Sequence, residues 1–166
     1  GEEAGAPLVE HPDVAVISFT GSCEVGRWIA ATAGRRLAKV CLELGGKNPL
    51  IVCDDADLRS AVTWTIGSAF SNAGQRCAAG SRILVFDAVY DEFKAMLVEA
   101  AKALKVGTGD ADDYCPVITE GQMTSLQASV QGDRQSGHAA LAAGERLAGG
   151  PSAGGCLLAP PTRAIA

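Results

Sequence analysis

Apolar and polar positions follow two distinct patterns along the chain. Short runs rich in aliphatic and β-branched residues predict β-strands, at residues 14–19, 39–44, 48–54 and 81–86. Between these runs, apolar residues recur every three or four positions, as on one face of an α-helix. This spacing predicts helices, at residues 25–33, 58–70 and 93–104. Strands that alternate with helices predict an α/β fold whose strands are mostly parallel.

The last third of the chain has a weaker pattern. Residues 119–137 predict a helix, although Gly132 in its interior costs about 1 kcal/mol relative to alanine. Beyond Ala148 the chain is rich in glycine and proline, which interrupt regular structure. Residues 149–166 are therefore predicted to form an irregular tail.

The composition is typical of a soluble globular protein, with 48% hydrophobic and 20% charged residues. Fourteen basic and nineteen acidic residues give a net charge of −5, which would repel the phosphate backbone of a nucleic acid. The nearest basic cluster, Arg35, Arg36 and Lys39, has the spacing of a solvated helix end. We therefore expect no nucleic-acid partner.

The sequence contains no apolar run of about 18 residues, the length needed to span a bilayer. Residues 1–13 are acidic and polar, and they lack the basic flank and apolar centre of a signal peptide. These features predict a cytoplasmic protein with no membrane partner.

The six cysteines predict neither a metal site nor a disulfide framework. They form no C-x-x-C pair, and the chain has only two histidines. The cysteines are Cys23, Cys41, Cys53, Cys77, Cys115 and Cys156. We expect reduced thiols and no bound metal.

Three short motifs contain residues suited to chemistry. The first, FTGSCEVG at residues 19–26, is a glycine turn between a predicted strand and a predicted helix. Backbone N–H groups at such a helix start can bind an anion such as a dinucleotide pyrophosphate. A glycine turn of this kind is also a common connection without any ligand, because the motif is not G-x-G-x-x-G.

The second motif is LELGGK at residues 42–47, where Glu43 lies in an otherwise apolar strand. Burying this carboxylate is costly unless it is paired, hydrogen-bonded or protonated. Two interpretations remain open. Glu43 points outward or pairs with Lys47, or it is partly buried and acts as a general base.

The third motif, FSNAGQRCAAG at residues 70–80, places Cys77 just before a predicted strand. Gly74 permits a tight backbone there, so Cys77 is placed where a loop can expose its thiol to a cleft. Arg76 would favour a thiolate if its charge lay beside the sulfur. A single cysteine is nevertheless commonly a small, buried and inert residue.

Taken together, the motifs resemble the NAD(P)-dependent aldehyde dehydrogenase superfamily in order and in spacing. They read FTGSCEVG, LELGGKNP and NAGQRCAAGSRILV, and the resemblance runs from about His11 to Ile118. Glu43 and Cys77 are 34 positions apart, the family's usual interval between its general base and its nucleophile. One departure is Cys115, which stands where the family usually has glycine. If that position requires a positive φ, a side chain there would be strained.

The resemblance implies that Cys77 is the catalytic nucleophile and Glu43 the general base. The implied reaction oxidises an aldehyde to a carboxylic acid through a cysteine thiohemiacetal and a thioester, with NAD or NADP as cofactor. The presence of Glu43 favours hydrolysis of the thioester over transfer to coenzyme A.

The resemblance also implies a cofactor site near the first motif. Gly21 and Ser22 match the turn beside the pyrophosphate, and Gly26 belongs to the same motif. Val25 matches the residue that packs against adenine, and Leu44 matches one near the nicotinamide.

By the same resemblance, residues 1–46 are the closing part of a Rossmann-like NAD(P)-binding domain, and residues 47–148 are the first part of an α/β catalytic domain. The chain would thus be an internal fragment of a longer family member. Full-length members form homo-oligomers, and their small-molecule partner is an aldehyde.

Two alternatives to an active dehydrogenase remain. The chain is a truncated, catalytically incompetent remnant that associates with itself or with a complementing chain, through open strand edges. Otherwise Cys77 serves a different thiol chemistry, such as that of a hydrolase or a peroxidase. That chemistry needs a nearby base, for which His11 and His138 are the only histidine candidates.

Overall fold

The structure, a computed structural model, describes residues 2–136, 139–143 and 161–164. It contains two compact units, residues 1–46 and residues 47–166. The roles of these units, as parts of a cofactor domain and a catalytic domain, stay predictions.

The first unit is built around a parallel pair of strands joined by a helix. Its elements are α1 (Glu2–Glu10), β1 (Val16–Gly21), α2 (Cys23–Gly34) and β2 (Lys39–Leu44). Strand β1 lies parallel to β2, with Val16 beside Lys39 and Gly21 beside Leu44. Helix α2 buries Ile29 and Ala33.

Helix α1 was not expected from the sequence. Its larger apolar residues, Leu8 and Val9, follow Pro7 directly and do not recur every three or four positions, so the sequence lacks the pattern that would predict a helix. A tertiary contact helps to hold it, because Arg36 Nη2 donates a hydrogen bond of 2.8 Å to the carbonyl oxygen of Val9.

The second unit begins with another parallel strand pair. Its elements are β3 (Asn48–Val52), α3 (Leu58–Phe70), a 3₁₀ segment (Ser71–Gly74), β4 (Gly80–Val85), α4 (Asp87–Ala103), α5 (Glu120–Gln135), β5 (Ala139–Ala143) and β6 (Pro161–Ala164). Strand β3 pairs in parallel with β4, and their register shifts between Asn48 and Pro49. Strands β5 and β6 are antiparallel.

The main core of the second unit lies between the strand pair and helices α3 and α4. Val52, Val62, Phe93 and Leu97 are buried together there. Asp57 begins α3 as its N-cap, since its carboxylate accepts a hydrogen bond of 2.8 Å from the N–H of Ser60. The helical spacing seen in the sequence thus marks the faces that pack inward.

The four predicted strands and the predicted helices are all present, and most bounds lie within about two residues of those expected, an ordinary uncertainty for sequence patterns. The exception is α4, which begins at Asp87, six residues before the first apolar position of its predicted range. The prediction of an irregular tail after Ala148 is wrong for residues 161–164, which form β6. Strand β5 was also not expected, because alanine has a low intrinsic strand preference. Both strands form because these two segments, distant in the sequence, pair with each other. A local sequence pattern does not show such pairing.

We expect Phe93→Ala to destabilise the second unit by about 3 kcal/mol, because it removes a large core side chain and leaves a cavity. Phe93 is only 1% exposed. Urea unfolding followed by circular dichroism measures the loss. Trp64→Ala is the matched control, since Trp64 is 72% exposed and should cost less than about 1 kcal/mol. Equal losses for both variants would contradict this description of the core.

Candidate active site

Cys77 lies in a tight turn between the 3₁₀ segment and strand β4. The N–H of Ala79 donates a hydrogen bond of 3.1 Å to the carbonyl oxygen of Arg76, which closes a turn over residues 76–79. Cys77 is exposed, whereas Ala79 is buried. The turn therefore presents the thiol to solvent, and the interpretation of Cys77 as a buried residue is wrong.

Three consecutive left-handed residues precede this turn. Asn72 and Ala73 both have φ of 54°, and Gly74 has φ of 68°. A Cβ at Gly74 would lie 2.9 Å from the carbonyl oxygen of Ala69, so this position needs glycine for space as well as for its backbone angle. The sequence indicated the tight backbone only at Gly74.

The side chain of Gln75 ties the turn to the segment before α5. Its Nε2 donates to the carbonyl oxygens of Asn72 and Pro116, at 3.2 and 3.3 Å. Its Oε1 accepts a hydrogen bond of 3.0 Å from the N–H of Ile118. The carboxamide of Gln75 thus joins the turn to Pro116 and Ile118, which lie 41 and 43 positions further along the chain.

Arg76 turns back toward the end of helix α3. Its Nη2 donates to the carbonyl oxygen of Gly67 at 3.2 Å and to Ser71 Oγ at 2.5 Å. A cation at a helix C-terminus is favourable because the carbonyl groups there carry partial negative charge. Arg76 therefore holds the turn in place, and these contacts give no support to the idea that it activates the thiol.

Asn48 and Ser68 hold the other side of the turn. Asn48 Nδ2 donates to the carbonyl oxygens of Cys77 and Ala79, at 2.6 and 3.0 Å. Ser68 Oγ accepts a hydrogen bond of 3.0 Å from the N–H of Gly80. Sequence reasoning missed both residues, because a polar side chain in a strand or a helix gives no local sign of its partner.

The predicted strain at Cys115 is wrong. Cys115 is not among the described residues with positive φ. Its Sγ lies 3.6 Å from Asn72 Oδ1, as a weak hydrogen bond. The chain accommodates a side chain here because its backbone does not adopt the conformation that would require glycine.

Glu43 lies in the first unit, on the outer face of β2. It is exposed and sits beside Thr20 of β1. The next residue, Leu44, points to the opposite face, as residues alternate along a strand, and it packs against Gly26 of α2. A Cβ at Gly26 would lie 2.6 Å from Leu44 Cδ2. Within the first unit Glu43 is thus exposed rather than partly buried, and its role as a general base stays a prediction.

The start of helix α2 has free backbone donors suited to an anion. Ser22 is its N-cap, and Ser22 Oγ accepts a hydrogen bond of 3.2 Å from the N–H of Val25. The carbonyl oxygen of Ser22 accepts from the N–H of Gly26 at 2.9 Å. The N–H groups of Cys23 and Glu24 have no acceptor within the helix. Unpaired N–H groups at a helix start are the kind of backbone donors that bind an anion, and the cofactor role of this turn stays a prediction.

Val25 and Gly21 lie beside this helix start. Val25 is exposed beside the cap. Gly21 lies against the ring of Phe19, where a side chain would clash. Of the residues assigned to the cofactor by resemblance, Gly21, Ser22, Val25, Gly26 and Leu44 thus lie at one end of the β1, α2 and β2 arrangement.

Replacing Ser22 with alanine is expected to cost about 1 kcal/mol in the stability of α2, since the cap bond to Val25 is lost. The variant should also bind NAD more weakly if the anion site is formed here. Thermal unfolding and NAD titration by calorimetry measure the two effects. Ser60→Ala is a matched control on an exposed helix start without the cap role. Unchanged NAD affinity in Ser22→Ala would argue against a cofactor at this turn.

The alternative thiol chemistries gain no support from the histidines. His11 lies in the first unit, where its Nδ1 accepts a hydrogen bond of 3.2 Å from the N–H of Asp13. His138 lies outside the described residues. The described residues of the second unit contain no histidine, and the hypothesis of a hydrolase or a peroxidase stays a prediction.

The described part of the chain also bears on metals, disulfides and membranes. No group of three or more potential metal ligands occurs within it. Its cysteines are free thiols, and Cys156 lies outside it. No helix within residues 2–136 has both the length and the apolar character that a membrane crossing requires.

The chain is similar to known proteins over most of its length. The sequence model of the aldehyde dehydrogenase family matches residues 1–162. Betaine aldehyde dehydrogenase 1 of Oryza sativa subsp. japonica is 42% identical over 149 residues, covering 88% of this chain and 29% of that protein. Alpha-ketoglutaric semialdehyde dehydrogenase of Bacillus subtilis (strain 168) is 37% identical over 162 residues, covering 96% and 33%.

A solved structure has the same fold. The crystal structure of betaine aldehyde dehydrogenase from Staphylococcus aureus, in complex with NAD⁺, superposes with a TM-score of 0.92 at 31% identity. The match covers 97% of this chain and 32% of that one. The α/β fold predicted from the sequence is thereby confirmed, and the chain spans about a third of the length of the proteins it matches.

Proposed function

Because the chain belongs to the aldehyde dehydrogenase family, we propose that it supplies the nucleophile, the general base and part of the dinucleotide site for the NAD(P)-dependent oxidation of an aldehyde to a carboxylic acid. The observation that carries the proposal is the exposed Cys77 thiol in a turn held by side chains on both sides. A held and accessible thiol is the arrangement that covalent catalysis needs.

In the proposed reaction, Cys77 Sγ as a thiolate attacks the carbonyl carbon of the aldehyde, and a thiohemiacetal forms. The backbone N–H of Cys77 is a donor for the oxyanion that develops on the former carbonyl oxygen. Loss of a hydride from the same carbon leaves a thioester on Cys77. NAD(P), when bound, supplies the oxidising power by accepting this hydride.

Glu43 completes the proposed reaction as a general base. It takes a proton from water, whose oxygen attacks the thioester carbon, and the C–S bond breaks to release the carboxylic acid. The thiolate of Cys77 is regenerated. The exposure of Glu43 in its unit leaves the carboxylate open to water.

The cofactor would be held at the start of α2. The free N–H groups after Ser22 are suited to the pyrophosphate, and Val25 and Leu44 supply apolar contacts near the two rings. Family relatives act on betaine aldehyde and on α-ketoglutaric semialdehyde, as their names state. We propose these two aldehydes as the first substrates to test. A cytoplasmic location and homo-oligomer formation stay predictions from the sequence.

The proposal is tested by trapping the covalent intermediate. The chain is incubated with NAD and each aldehyde, NADH is followed by absorbance, and the Cys77 peptide is analysed by mass spectrometry. We expect NADH formation together with an acyl adduct on Cys77 alone among the six cysteines. No NADH and no adduct with either NAD or NADP would contradict the proposal.

A second candidate function is self-association without catalysis. Ile51 and Leu84 are neighbours across β3 and β4 and are 60% and 54% exposed. Adjacent apolar side chains on an exposed sheet face favour contact with another chain. Analytical ultracentrifugation over a concentration series tests this candidate, which requires concentration-dependent assembly in a chain that forms no NADH.

A further inference from the structure

We propose that Asn48 is a positioning residue for Cys77, and that its carboxamide sets the orientation of the thiol for attack. This inference rests on the proposed function, in which Cys77 is the nucleophile. Asn48 is half-buried at the start of β3, 29 positions before Cys77. Its contact with the turn is therefore tertiary, and no local pattern in the sequence reveals it.

The geometry consists of one side chain that holds two carbonyl groups. Asn48 Nδ2 donates its two hydrogens to the carbonyl oxygens of Cys77 and Ala79, at 2.6 and 3.0 Å. These carbonyls lie on either side of Ala78, so the bonds fix the peptide plane that follows Cys77. Since the Cα of Cys77 belongs to that plane, its ψ angle and the direction of its side chain are constrained as well.

The side chain of Asn48 bonds to the turn at a point where the backbone of β3 offers no donor. Pro49 has no N–H group, and the register of β3 against β4 shifts between Asn48 and Pro49. The carbonyl groups just before β4 would thus lack strand donors at this point. The Asn48 side chain supplies two donors in their place, and it does so at the turn that carries the thiol.

The other contacts of the turn act on different residues. Gln75 and Arg76 hold the chain before Cys77, and Ser68 holds the N–H of Gly80 after it. Among the described side chains, Asn48 is the one that bonds to the backbone of Cys77 itself. Its loss therefore leaves the turn in place but releases the orientation of the thiol.

The test uses Asn48→Leu, which nearly preserves the shape of the side chain and removes both donors without changing the charge. Gln122→Met is the matched control, a similar loss of a carboxamide at an exposed position on α5. Two quantities are measured in the full chain. One is kcat and KM for aldehyde oxidation, and the other is the ratio of iodoacetamide labelling rates at Cys77 and Cys53.

We expect Asn48→Leu to lower kcat by about tenfold or more, because misplacing a reacting group by about 1 Å has effects of this order. KM for NAD should stay within about twofold, since the cofactor contacts are not altered. The labelling ratio should shift by at least about threefold. Cys53 is an exposed cysteine of the same unit, so general unfolding would raise both rates and leave no such selective change.

The outcomes separate this inference from the proposed function. If the unchanged chain forms NADH and Asn48→Leu alters neither kcat nor the labelling ratio, the positioning role is overturned and the proposed function stands. If the unchanged chain forms no NADH, the proposed function fails, and the labelling ratio still decides the positioning role. Should Asn48→Leu not fold, Asn48→Ser keeps one donor and is expected to give smaller shifts of the same kind. An unchanged ratio in that variant would overturn the inference.

Discussion

Replacing Cys77 with alanine is expected to reduce NAD-dependent aldehyde oxidation by at least about 10³-fold, because no covalent intermediate can form without the thiol. The small exposed side chain contributes little to the core, so the variant should fold as the unchanged chain does. The rate of NADH formation measures the loss, and circular dichroism verifies the fold.

The matched control for this result is Cys53→Ala. Cys53 is also an exposed free thiol of the second unit, but it lies at the end of β3 and has no role in the proposed reaction. The control should keep its rate within about twofold, as surface substitutions usually do. If both variants lose activity equally, or if Cys77→Ala keeps most of it, Cys77 is not the nucleophile.

The second large effect is expected for Glu43→Gln. This substitution keeps the shape of the side chain and removes its basicity, so hydrolysis of the thioester should slow by about 10² to 10⁴-fold. The step that forms NADH does not need this base. We therefore expect a burst of NADH close to one equivalent per chain, followed by slow turnover, with the acyl adduct accumulating on Cys77.

Rapid mixing with NADH detection resolves the burst, and mass spectrometry quantifies the adduct. Glu10→Gln is the control, because Glu10 is an exposed glutamate of the same unit at the end of α1. It should turn over without a burst. A Glu43→Gln chain whose steady rate equals that of the unchanged chain would show that another group activates the water.

The elements that sequence reasoning located are those with a strong local signal. Strand β2 and helix α3 begin and end where their apolar patterns do. Helix α1 and strands β5 and β6 were missed because their residues carry weak or opposing preferences. Contacts with distant segments decide such cases, and a single sequence does not display them.

The residues of the candidate site also divide into those with a local signal in the sequence and those whose contacts are distant. Cys77, Glu43 and the turn at Ser22 could be proposed from the sequence because each lies in a motif with a recognisable order and spacing. Two residues that hold the Cys77 turn have remote partners. Asn48 bonds to Cys77, 29 positions away, and Gln75 bonds to Pro116, 41 positions away. A polar residue whose partner is remote is indistinguishable in the sequence from one that faces solvent.

The hydrogen bonds described for the Cys77 turn join residues 48–118 to one another. For protein engineering, residues 48–118 are therefore the segment that would carry every one of these bonds to another scaffold.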